Sequence, residues 1–91
     1  MDQLEEYREQ IDTVNREIAE KIAERMEIVE KVGEYKEENN MEIKDEGREE
    51  VVKQQFEDIF GEKGLPQKKG RELAEMLIGM AVKEEEEVKE Q

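Results

Sequence analysis

The chain has no cysteine, no histidine and no tryptophan, and only one proline. Without cysteine there is no disulfide framework and no thiolate metal site. Without histidine the usual zinc ligands and nucleophile–base dyads are missing too. Any catalysis must therefore run without an imidazole or a thiol. No apolar run approaches the roughly 20 residues of a membrane-spanning helix. The N-terminal MDQLEEYREQ lacks the basic and apolar regions of a signal peptide, so a cytoplasmic location is expected. Positive charge is the scarcer sign, with 15 Lys and Arg against 28 Asp and Glu, a formal charge of −13. That balance argues against nucleic acid and anionic membranes as partners, because phosphate binding needs a basic face.

What is present is short and charge-rich. Only 34 % of the 91 residues are apolar, so residues 1–91 form one domain with a thin core. Oligomerisation is expected on that ground alone. An acidic composition of this kind also suits a disordered chain. The apolar residues argue otherwise, because they recur at helical spacing throughout.

The pattern predicts an all-α fold of three helices, one of them very long. The first runs from about Asp2 to about Glu38, with no proline and only Gly33 to weaken it. Turn formers Asn39, Asn40 and Gly47 break the pattern in ENNMEIKDEG. Asp45 is the expected N-cap of a second helix, from about Glu46 to Phe60, which Gly61 and Gly64 end. Pro66 opens the third.

The first helix carries Leu4, Tyr7, Ile11, Val14, Ile18, Ile22, Val29 and Val32 in steps of three and four, with one gap of seven. The same rhythm falls on Arg25, inside that gap, and on Lys36. Eleven residues bring Lys36 back within roughly 20° of Arg25, about 16 Å further along one face. The plainer reading is that each stem lies at the stripe's edge and snorkels to water. Two such cations on one face are harder to explain that way, since a buried unpaired charge costs several kcal/mol.

The second helix repeats the anomaly with opposite sign. Its stripe of Val52, Phe56 and Ile59 passes back through Glu49 and Asp45, with Arg48 placed to pair with Asp45. In the third helix the line of Leu77, Ala81 and Val88 passes through Glu85, one of a run of four glutamates. Arg8 flanks the stripe of the first helix, where an ordinary surface pair with Asp12 is the plainer reading. Cations on one seam and carboxylates on the others suggest a polar pocket inside a bundle. Structural ion pairs are the competing explanation.

The order of these residues resembles the all-helical AroQ class of chorismate mutases. YREQID, AERMEIVEKVGEYK and IKDEGREE carry the resemblance, with Arg8, Arg25, Lys36, Asp45, Arg48 and Glu49 in register. Gly47 stands where that family often has a bulkier residue, and Ala81 where it commonly has Ser or Thr. Glu85 stands where bacterial members usually have Gln and fungal members Glu.

The resemblance implies an intertwined homodimeric helical bundle. It also implies a pericyclic rearrangement of chorismate to prephenate, on the route to Phe and Tyr, with no cofactor and no metal. Arg25, Lys36, Glu49 and Glu85 would then be the catalytic set. Arg25 and a partner-chain Arg8 would grip the two carboxylates, and Lys36 and Glu85 would flank the ether oxygen. Glu49 would accept from the ring hydroxyl, while Asp45, Arg48 and Ala81 would complete substrate binding. Spacing supports the dimer separately, since Arg8 lies about 25 Å from Arg25 along one helix. An antiparallel second copy brings its own Arg8 back to the site. The chain has no spare segment for a regulatory domain, so feedback by Phe or Tyr is not expected. Two alternatives stay open: an isochorismate–pyruvate lyase on the same scaffold, and a non-catalytic helical adaptor.

Overall fold

A computed structural model describes residues 2–90. The described residues form three helices: α1 (Gln3–Glu38), α2 (Glu46–Glu62) and α3 (Gln67–Glu90). α1 begins where the Asp2 side chain accepts from the Glu5 amide at 2.8 Å, satisfying one of the free N–H groups of the first turn. It ends where Asn40 takes a left-handed φ of 53° and the Met41 amide donates to the Lys36 carbonyl at 2.8 Å. That is a Schellman-type stop, with asparagine in the position usually given to glycine.

The expected N-cap of α2 is present, for Asp45 Oδ1 accepts from the Arg48 amide at 3.0 Å. The far end differs from expectation. α2 runs past Phe60 and through Gly61 to Glu62. Gly64, with φ 75°, provides the left-handed stop, and the Leu65 amide donates to the Phe60 carbonyl at 2.8 Å. Gly61 is an interior helical residue. Pro66 directly precedes α3, and its carbonyl accepts from the Lys69 amide at 3.0 Å.

α3 packs against both α1 and α2, which do not pack on each other. The core is correspondingly slight: Val29, Val52, Ala74 and Leu77 are its buried apolar residues. On α2, Phe56 and Phe60 are half-buried while Ile59 is 51 % exposed, so the stripe turns one residue from where periodicity places it. The cause is the crossing with α3. Gly70 lies directly over the Phe56 carbonyl and the Phe60 ring, and draws that side of α2 inward.

The N-terminal half of α1 has no cover of its own. Leu4, Tyr7, Ile11, Val14 and Ile18 are each 50 to 57 % exposed, although periodicity marks them as a buried stripe. They lie ahead of the stretch of α1 that α3 reaches, where Arg25 meets the Leu77 carbonyl at 3.4 Å.

Candidate active site

Where α3 lies along the C-terminal half of α1, with the start of α2 closing one side, the helices leave a cleft of about 300 Å³. Seven of the eight residues singled out in the sequence line it. α1 contributes Arg25 and Lys36, α2 and its cap contribute Asp45, Arg48 and Glu49, and α3 contributes Ala81 and Glu85. Between the charges the walls are aliphatic, with Ile28, Val32, Ile78 and Val82 among them. Arg8 is elsewhere. Its side chain is 61 % exposed and pairs with Glu5 at 3.1 Å on its own helix, not with Asp12.

Lys36 and Glu85 form the deepest charged contact. Nζ lies 2.7 Å from Glu85 Oε1, with only 16 % and 8 % of the two side chains exposed. One of the three ammonium N–H groups donates to the Ile43 carbonyl at 2.7 Å. Glu85 Oε1 has a countercharge beside it but receives no hydrogen bond. Its contact with Lys36 satisfies a distance and not an angle, so charge is compensated while the oxygen's lone pairs are not.

The other charges sort themselves by partner. Asp45 is engaged by the N-terminus of α2, where helix dipole and amide donation favour a carboxylate. Glu49 is held from outside by Lys44, whose ammonium meets both carboxylate oxygens at 3.2 Å. Arg48 departs from expectation: its backbone amide, and not its guanidinium, bonds to Asp45. Arg25 is half-buried and donates only to the Leu77 carbonyl. Among the described residues, neither guanidinium on the cleft has a carboxylate partner. A site with free guanidiniums, a deep ammonium and aliphatic walls suits a small anionic ligand with an apolar body.

Sequence reasoning missed Lys44, the Ile43 carbonyl and, of the aliphatic lining, Ile28, Ile78 and Val82. Lys44 precedes the N-cap and follows no helical period. A backbone acceptor leaves no mark in side-chain pattern at all.

Comparison with protein families bears on the same residues. A model described as chorismate mutase type II matches residues 7–86, from just ahead of Arg8 to just past Glu85. The chain belongs to the chorismate mutase type II family. That makes it an isomerase by family, with chorismate as the substrate the family implies. Neither a curated protein nor a solved structure matches it.

Proposed function

We propose that the protein catalyses the pericyclic rearrangement of chorismate to prephenate in aromatic amino acid synthesis, as a homodimer. The reaction breaks an ether C–O bond as a C–C bond forms, with no proton lost or gained. A protein accelerates it by holding a dicarboxylate in a compact conformer and by stabilising charge that develops on the ether oxygen. One observation carries the reading. Among the described residues, Arg25 and Arg48 lack carboxylate partners in the same cleft where Glu85 Oε1 is buried without a donor.

Each residue takes a role from that arrangement. Arg25 offers a planar fork that matches a carboxylate bidentately, and Arg8 of the partner subunit supplies the second grip. Lys36 donates to the ether oxygen from one side. Glu85 does so from the other as a neutral acid, since a carboxylate there would repel the oxygen. Glu49 accepts from the ring hydroxyl, with Lys44 holding it in place. Asp45, Arg48 and Ala81 shape the remainder. With Glu85 neutral, the cleft's own residues set three cations against two carboxylates, one positive charge short of a dianion's two. A dianion therefore needs a further cation, and Arg8 of the partner subunit provides it.

The uncovered stripe of α1 gives the dimer its physical reason, since five half-exposed apolar side chains on one helix face need a second apolar surface. The test is to incubate purified protein with chorismate and identify the product. Prephenate is expected. Unchanged chorismate, or pyruvate with an aromatic acid, would overturn the assignment.

A further inference from the structure

Gly33 is buried near the C-terminal end of α1, four residues after Val29 and three before Lys36. Glycine inside a helix is destabilising relative to alanine, so its place there calls for a reason. The neighbours supply one. A Cβ on Gly33 would lie 3.3 Å from Glu85 Cα, 3.4 Å from Glu85 Cγ and 3.4 Å from Val88 Cβ. The first of these atoms is backbone, so no side-chain rotation relieves the contact. α3 thus lies against α1 at a residue with no side chain, and Glu85 occupies the space. Gly33 and Lys36 are three apart and share a helix face. The glycine fixes the helix separation one turn from the point where Lys36 Nζ meets Glu85 Oε1 at 2.7 Å.

We propose that Gly33 is a positioning residue for the reaction. By admitting the Glu85 backbone, it sets the depth from which that carboxyl meets Lys36 and the substrate. This inference rests on the reading of the cleft given above. A comparison with Gly70 shows why the effect is one of position. At Gly70 a Cβ would meet the Phe56 carbonyl oxygen at 2.6 Å, a contact that real side chains do not make. At Gly33 the conflict amounts to a few tenths of an ångström. α3 can accommodate it by shifting, and that shift carries Glu85 with it.

Gly33→Ala therefore separates stability from turnover. Alanine improves helix propensity and the crossing gives way slightly, so the melting temperature should hold or rise. The kcat should fall about tenfold, since sub-ångström misplacement of a catalytic group is costly. KM should change little, because Glu85 acts on charge that exists only in the transition state. In a Glu85→Ala background, Gly33→Ala should lower kcat no further, as the group it positions is gone. A Gly33→Ala protein with wild-type kcat overturns the proposal. So does one whose melting temperature drops along with kcat, or one that loses the same factor in both backgrounds. Failure of the underlying site reading looks different: Glu85→Ala alone would then turn over at the wild-type rate.

Discussion

Glu85 combines deep burial with an oxygen that receives no hydrogen bond, and under the proposed reaction its donation to the ether oxygen is what the site depends on. Only the neutral acid donates to an ether oxygen. Glutamine donates at every pH, and alanine at none. Glu85→Gln should therefore remain active, while Glu85→Ala should lose about 10²–10³-fold in kcat, the usual cost of removing one preorganised donor. The measurement is kcat for the two variants beside wild type, and an alanine variant that turns over at the wild-type rate would place Glu85 outside the chemistry. At this scale the sequence was informative about side chains and silent about backbone. Arg25, Lys36, Glu49 and Glu85 stood out because a charge on an apolar stripe violates the period. The Ile43 carbonyl that orients Lys36 has no such signature, and Gly33 registered only as a weak point in a helix.

The joint between α2 and α3 shows what periodicity leaves undetermined. Their crossing depends on Gly70, where a Cβ would meet the Phe56 carbonyl at 2.6 Å and the Phe60 ring at 2.8 Å. Gly70→Ala should cost about 1–3 kcal/mol in chemical denaturation through overpacking, in contrast to Gly33→Ala. Close approach of this kind explains why Phe60, and not Ile59, turns inward. Beside the crossing, Arg71 donates to both oxygens of Glu50 at 3.1 and 3.0 Å and to Glu57 at 2.8 Å, tying α3 to α2. Arg71 donation holds the Glu50 carboxyl below its ordinary value, and the acids in turn raise the guanidinium above its own. A depressed carboxylate contributes stability that is present above its unfolded value and lost as pH falls through its folded one. Arg71 stays charged throughout, so the acidic limb alone is affected. Arg71→Gln should then melt below wild type at neutral pH, with the gap closing as acid protonates Glu50. A gap of constant size down to pH 2 would show that the contact matters through packing and not charge. The effect is modest, since a third of the arginine side chain is in solvent.

A single chain is too extended to account for itself. Its radius of gyration is 16.5 Å, against about 12 Å for a compact domain of this length, and its longest dimension is 56 Å. That dimension is α1, whose first five stripe positions are uncovered. The long helix and its apolar face were legible in the sequence. Their uncovered state was not, because periodicity shows that a face is buried and not by whom. Arg8 belongs to the same problem. Its pair with Glu5 is an exposed i,i+3 contact, of a kind worth about 0–1 kcal/mol, so little holds it back from a better anionic partner. It cannot reach the cleft of its own chain, about 25 Å along the helix, but an antiparallel copy can deliver it. Arg8→Ala and Arg25→Ala should each be nearly inactive as pure dimers under this arrangement. A mixed dimer would carry one doubly damaged site and one intact site. Random re-pairing of equal amounts makes about half the dimers mixed, so roughly a quarter of wild-type activity should return on co-refolding. The measurement is rate after mixing, with mixed dimers counted by mass. Mixed dimers that form and recover nothing would confine Arg8 to the surface of its own helix.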